Sequence, residues 1–471
     1  MRKTALTALL ILAPIPGQAQ DSELGPQVRQ YVAVDAAVIA LTNARIIDGT
    51  GAPATTGQTL VIREGVVSAL GTDASVPTEA HVIDATGKTI LPGYVMLHEH
   101  LFYPAGSAAY NQLEYSFPRL YLAGGATTIR TGGSRDPYGD LNLKRSIDEG
   151  RSPGPTIYVT APYLNGPGLP INFVNALSGP EDARRMVSYW ADEGATSFKV
   201  YMHISRDELR AVVDEAHARG LKVTGHLCSV TYAEAADIGI DNLEHGLMAS
   251  TDFIGDKAPD QCPSGGARNR ALQSLDPRGP EASRLIDHMI AQGVALTSTL
   301  TVFETSVPGR PVAPSGALDA MSTQAREQYL RRWARVQQGE SGSNARFEIA
   351  MEFEKAFSEA GGLLVSGTDP TGYGGVVAGY ANQREVELLV EAGFSSEQAI
   401  RIATLNGAKF LGIDDLVGTI AVGKVADLIL VDGDPTSQIQ DIRQVVMVFK
   451  NGVGYDPAKL IEDAKGLVGI R

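Results

Sequence analysis

Cysteine is nearly absent from this chain: Cys228 and Cys262 are the only two in 471 residues. Neither belongs to a Cys-x-x-Cys pair, which argues against a thiolate zinc site. In an oxidising compartment the two could join as a disulfide, and they could equally be separate buried thiols. Basic charge is also short: 40 Lys and Arg stand against 54 Asp and Glu, for a net charge of −14. That balance disfavours nucleic acid and anionic membranes as partners. No stretch approaches the roughly 18 uninterrupted apolar residues of a membrane-spanning helix. Histidine is scarce too, with eight in all, so where those eight fall carries information.

The chain does have an apolar N-terminus of a particular kind. Arg2 and Lys3 precede an apolar run, Ala5 to Ala13, too short to cross a bilayer, and Gly17-Gln18-Ala19 supplies small residues. This is the pattern of a signal peptide cleaved after Ala19, so a periplasmic or secreted protein is expected. Losing Arg2 and Lys3 takes the net charge to −16 and leaves 452 residues, enough for one large and one small domain.

Val38 to Leu91 reads as short alternating strands broken by Gly, Asp-Gly and Thr-Gly turns. The C-terminal stretch V-G-T-I-A-V-G-K-V-A-D-L-I-L-V-D-G-D-P repeats that texture. The two are expected to pair into one small β-sandwich domain, residues 20–92 with 412–471. The middle, 93–411, alternates strand and helix. Its strand candidates are Gly93–Leu97, Thr127–Arg130, Thr156–Thr160, Ser197–Tyr201, Lys222–Gly225, Asn242–Glu244, Ala295–Leu300 and Leu363–Ser366. Between the fourth and fifth lies a helical pattern with Ser205 as N-cap, Asp207 and Glu208 in its first turn and Gly220 at its end. Eight βα units predict an α/β fold, a parallel (β/α)8 TIM barrel. A doubly wound sheet would favour a Gly-rich phosphate loop after the first strand, where this chain has H-E-H. Ser250 to Pro280 is a long loop suited to a lid or rim, and Ala325 to Ala360 reads as two helices.

His98, His100, Lys199, His226, His245 and Asp369 each fall at or just past the end of one of these strands. Active sites of such barrels are built at that end. His98 and His100, two apart, share a strand face, as a common metal ion requires. Any one of these histidines is unremarkable as a polar strand end; four of eight at strand ends describe a two-metal hydrolytic site. A bare ammonium is a poor ligand, so Lys199 is expected either to be carboxylated by CO₂ to a bridging carbamate or to pair with Asp369. Asp369 is expected to bind metal, to take a proton from the attacking water and to return it to the leaving group. Lys199, Tyr201 and His203 follow a period of two, which makes Tyr201 and His203 substrate candidates. Phe102, Tyr103 and Tyr110 would give the pocket an aromatic side. Arg130, Arg135, Arg268 and Arg270 are rim cations able to meet a carboxylate. His81, His217 and His288 read as surface or packing residues.

At these motifs the chain resembles the amidohydrolase superfamily, in its imidazolonepropionase-like and metal-dependent prolidase (Xaa-Pro or carboxy-terminal amino acid dipeptidase) branch. N-A-R-I-I-D-G-T-G opens the resemblance, and L-P-G-Y-V-M-L-H-E-H matches the first-strand metal motif. L-A-G-G-A-T-T-I-R-T-G-G matches the second strand, with Thr131 where Asp is frequent. L-K-V-T-G-H-L and I-D-N-L-E-H-G carry the later histidines, and T-L-N-G-A-K-F-L-G leads back to the small domain. The resemblance implies two divalent ions, usually zinc: His98, His100 and Asp369 on one, His226 and His245 on the other, with carboxylated Lys199 between them. It implies hydrolysis of an amide, in a dipeptide or an N-acyl amino acid, by a bridging hydroxide. An esterase, lactonase or carbamate hydrolase acting on a xenobiotic or toxin is the alternative. A deaminase of this superfamily would lack the bridging lysine, and a dead scaffold would have lost ligands. The expected partner is a small-molecule amide or dipeptide, with neither nucleic acid nor membrane, and the expected assembly is a homo-oligomer.

Overall fold

Both ends of the chain contribute β-branched, alternating segments, and each needs a partner for its apolar face. They find one another. In this computed structural model, which describes residues 24–104, 110–169, 174, 176–339, 343–372 and 374–471, nine strands from the two ends form one mixed sheet. The seam is Lys88–Pro92 against Leu428–Asp432, antiparallel from Lys88↔Asp432 to Pro92↔Leu428. Ile39, Leu41, Leu60, Ile62, Ile90, Leu428, Leu430 and Phe449 are buried together against this sheet. The sandwich expected here is a single hydrogen-bonded sheet, because the seam strands continue the ladder. The signal peptide of residues 1–19 lies outside the described residues.

The middle of the chain is a mixed α/β array. Eight parallel strands run Tyr94–Glu99, Ala126–Thr131, Thr156–Tyr158, Ser197–Val200, Lys222–Gly225, Asn242–Glu244, Ala295–Ser298 and Leu364–Ser366. The first three pair with each other and the last five pair in sequence. Parallel bridges Thr160↔Ser197 and Leu164↔Val200 join the third to the fourth. Thr368 N and Asp369 N donate to His98 O at 3.1 and 2.9 Å, tying the end of the eighth to the first. Most of these strands are buried along their whole length, as expected where helices cover a parallel sheet.

Local signals act as the sequence suggests. The helix Arg206–Ala218 starts with a full capping box between Ser205 and Glu208, and Gly220 follows it at φ +70°. Residues 325–360 hold parts of two helices, Thr323–Gln337 and Asn344–Glu359. The seventh strand stops earlier than expected. Leu300 opens a short helix, Leu300–Glu304, whose first N–H groups, on Leu300 and Thr301, donate to the Glu385 carboxylate at 3.1 and 2.9 Å. A buried carboxylate at a helix start stabilises it through those donors. Cys228 and Cys262 are joined as a disulfide across a separation of 34 residues. The bond ties the long loop after the sixth strand back to the residue two beyond His226. Within that loop Gly265–Gln273 is helical.

Candidate metal centre

All six proposed ligands line one cavity at the C-terminal ends of the parallel strands. His98 sits on the first strand and His100 just after it; Lys199 is on the fourth; His226 and His245 follow the fifth and sixth directly. His98, His245 and Asp369 offer ligand atoms within 4.8 Å of one another. The ring of His245 lies 4.6 Å from that of His98 and 4.3 Å from that of His226. His245 and Asp369 have positive φ, 71° and 52°. Such strain in non-glycine residues concentrates at functional sites. His98 is held in a slot. A Cβ on Gly132 would meet its ring at 2.5 Å, and one on Gly367 would meet its Cβ at 2.4 Å, so both positions need glycine.

Beneath the ligands lies a buried polar layer. His98 Nδ1 faces Glu244 Oε2 at 2.7 Å. A carboxylate only accepts, so Nδ1 carries the proton and Nε2 keeps its lone pair for a metal. Arg130 donates to Glu244 Oε1 at 2.7 Å and to Asn242 Oδ1 at 3.0 Å. Thr224 also donates to Glu244. Lys199 Nζ has Glu244 Oε1 at 3.9 Å. No ion pair joins Lys199 to Asp369 among the described residues, so the pairing weighed for them is replaced by one with Glu244. His100 has an acceptor at each nitrogen: Gly133 O at 3.2 Å from Nδ1 and Asp369 Oδ1 at 3.2 Å from Nε2.

The electrostatics favour ligation. Burial, with Lys199 nearby, holds His98 down to about 4, and burial with Lys199 holds His226 down to about 3. Burial also puts His245 well below the ordinary imidazole range. These rings are neutral, the form that binds metal. Burial lowers the Lys199 ammonium to about 8. Burial opposes the charge of Asp369, yet the His100 contact keeps it well below the carboxylate range. Burial likewise opposes Glu244, and Lys199, His98 and Arg130 outweigh it.

Of the substrate candidates, Tyr201 lines the cavity, with its ring 4.9 Å from that of His226. His203 is not among the described lining residues. The fourth strand ends at Val200, alternation stops there, and His203 Nδ1 turns to Pro167 O at 3.2 Å. Tyr103 is likewise absent from the described lining. It follows Phe102 on the short strand Phe102–Pro104, so the two point to opposite sides. Phe102 faces the cavity, while Tyr103 is buried against Phe117 and accepts from Gly375 N at 3.0 Å. Arg130 is no rim cation but part of the buried layer; Arg135 is the arginine in the cavity wall. Two residues escaped the sequence reading. Tyr163 carried no motif. Glu244 stands next to His245, and strand alternation would turn them apart; the positive φ of His245 brings both inward.

A family model, described as the amidohydrolase family, matches residues 89–454. The chain belongs to the amidohydrolase family. An imidazolonepropionase of Nocardia farcinica is 36% identical over 99 residues, 21% of this chain and 25% of that one. The chain thus spans about a quarter of that curated relative. Solved amidohydrolase-like structures match over far more. A Bifidobacterium longum protein assigned as a prolidase superposes at TM-score 0.64 and 25% identity, covering 91% of this chain and 100% of that one. A Xaa-Pro dipeptidase superposes at 0.67 and 21% identity, covering 89% and 100%. The amidohydrolase match contains all six clustered ligands.

Proposed function

We propose that this protein is an exported, binuclear metal-dependent amidohydrolase that cleaves amide bonds of dipeptides or N-acyl amino acids. The observation that carries the reading is the convergence of four imidazoles, one lysine and one carboxylate on one cavity. The eight parallel strands are read as a closed (β/α)8 barrel, supported by the His98 link between first and last. The disulfide supports export, since such bonds persist in oxidising compartments.

Buried neutral imidazoles with a carboxylate fit zinc or a similar divalent ion. His98, His100 and Asp369 would hold one ion, His226 and His245 the other. Bound there, the ions polarise the amide carbonyl and acidify water. Lys199 would bridge them as a carbamate. Forming it joins Nζ to the carbon of CO₂ and releases a proton, which requires the free amine; an amine near 8 supplies that form around neutrality. Asp369 Oδ1 accepts from Thr371 Oγ1 at 2.6 Å. Its Oδ2, toward His245, is left to take the proton of the attacking water and to deliver it to the departing nitrogen.

A second reading, hydrolysis of esters, lactones or aryl carbamates, is favoured by the aromatic wall of Phe102, Tyr110, Tyr163 and Tyr201. Assay of dipeptides and N-acyl amino acids beside aryl esters, lactones and carbamates separates the two. The first reading expects the highest kcat/KM on amides; activity confined to esters or carbamates contradicts it.

A further inference from the structure

Part of the aromatic cavity wall stands on a two-stranded ribbon. Phe102–Pro104 pairs antiparallel with Tyr110–Gln112, and the facing residues are Phe102↔Gln112, Tyr103↔Asn111 and Pro104↔Tyr110. Facing residues in such a pair point to the same side, and the side alternates along each strand. Phe102 and Tyr110 therefore share the side that lines the cavity, with their rings 5.6 Å apart. Phe102 also lies 4.5 Å from the ring of His100. Tyr103 and Asn111 share the opposite side, turned to the body of the protein.

Both residues of that second pair bind main chain from distant parts of the sequence. Tyr103 is fully buried, and its Oη accepts from Gly375 N at 3.0 Å. Gly375 lies in the same loop as Asp369, after the eighth strand. Gly374 and Gly375 hold positive φ, 84° and 89°, and a Cβ on Gly375 would meet the Tyr329 ring at 2.4 Å. Glycine lets this backbone come close to the buried phenols. Asn111 Nδ2 donates to Gly469 O at 2.7 Å. The segment around Gly469 is itself pinned: buried Val468 donates its N–H to Ala320 O and accepts from Ser322 N, each at 2.9 Å. At the base of the ribbon Leu113 N donates to Leu101 O and Gln112 Nε2 to Asp140 Oδ1, each at 2.6 Å. The ribbon thus carries a cavity wall on one side and two attachments on the other. A two-stranded ribbon has little stability alone, so the place of its inner face is set by what holds its outer face.

We propose that Tyr103 and Asn111 are positioning residues that latch this ribbon to the Asp369 loop and to the Gly469 segment, and so hold Phe102 and Tyr110 as a preset wall for a broad apolar group of the substrate. Neither residue touches the substrate; both act through the rings on the opposite side. A preset wall binds more tightly than one the ligand must order, because ordering a loop on binding costs affinity. A small group that leaves the rings untouched gains nothing from the latch. The inference rests on the amide-hydrolase reading of this cavity and names residues that set its selectivity for substrate size.

The test uses the metal-loaded enzyme and two variants. Tyr103→Phe keeps the ring and removes the acceptor; Asn111→Ala removes the donor. Substrates come in pairs, N-benzoylalanine against N-acetylalanine and alanine anilide against alanine methylamide. The wild type should show a KM about 10-fold lower for the aromatic member of at least one pair. Each variant should raise that KM about 5–10-fold, while its kcat, the KM of the methyl member and the metal content change less than about threefold. Amide hydrogen exchange over Tyr110–Leu113 should quicken in both variants, a readout that needs no turnover. A merely structural role would lower the denaturation midpoint without splitting the pairs. An aromatic preference absent from the wild type, or kept in either variant, overturns the proposal, as does exchange over Tyr110–Leu113 that neither variant changes. A wild type that hydrolyses esters and no amide removes the amide reading instead, and the latch then stands or falls on the same split between methyl benzoate and methyl acetate.

Discussion

Glu244 shows how much one buried carboxylate controls. It fixes the tautomer of His98, takes the charge of Arg130 and lies against Lys199. Glu244→Gln keeps the volume and removes the charge, leaving buried cations uncompensated. The expected outcome is about 3 kcal/mol lower stability in denaturant titration and roughly 10–100-fold weaker metal retention. Asp369→Asn tests a different property. With metal content preserved, amide turnover should fall by about 10²–10⁴-fold and that of activated aryl esters far less, since only the amide nitrogen needs a proton to leave. Equal losses would show that Asp369 orients rather than shuttles. A third residue governs pH. Ser298 Oγ lies 2.6 Å from Glu354 Oε2 and 2.7 Å from Glu385 Oε1. One hydroxyl proton cannot serve both, so one carboxyl carries its own. Burial pushes Glu354 up to about 8. A carboxyl raised in the fold binds more protons folded than unfolded between its ordinary value and 8, so stability falls as pH rises through that window. Glu354 by itself should cost the fold about 3 kcal/mol between pH 5 and pH 8, and Glu354→Gln should make the pH slope of stability shallower by that share.

Elements were legible in the sequence wherever period and punctuation agreed. The helix from Arg206 declares itself through Ser205, Glu208 and Gly220, and the six proposed ligands, all at strand ends, line one cavity. Reading failed where the backbone left its period. A period of two carried on to His203 assumes extended backbone, but the strand ends at Val200. Glu244 is not legible as a site residue because strand alternation turns it from His245, and the left-handed His245 reverses that. The loop after the first strand reads as aromatic, but which of Phe102 and Tyr103 faces the cavity depends on the antiparallel pairing of Phe102–Pro104 with Tyr110–Gln112. Spacing could not settle the cysteines, which needed a Cα–Cα distance of 4.9 Å. The bond should contribute about 3–4 kcal/mol on a chain-entropy estimate. Thiol counting under denaturing, non-reducing conditions should find none free. Cys228→Ser should lower the denaturant midpoint, and an unchanged midpoint would show the loop to be held by other contacts.

At the scale of the whole molecule, a sheet from both chain ends closes against a parallel array, with Gly93 N donating to Asp427 O at 2.8 Å where they meet. The fold brings residues 271 positions apart, His98 and Asp369, to 3.9 Å. On the proposed reading, such a gathering of imidazoles, a lowered lysine and an ionised carboxylate is what two divalent ions would require. The most direct test is elemental analysis of protein purified without chelator, paired with amide turnover as metal is removed and restored. The account predicts two divalent ions per chain, with activity lost on removal and regained as the second ion returns. Full amide turnover with one ion per chain, or with none, would contradict it.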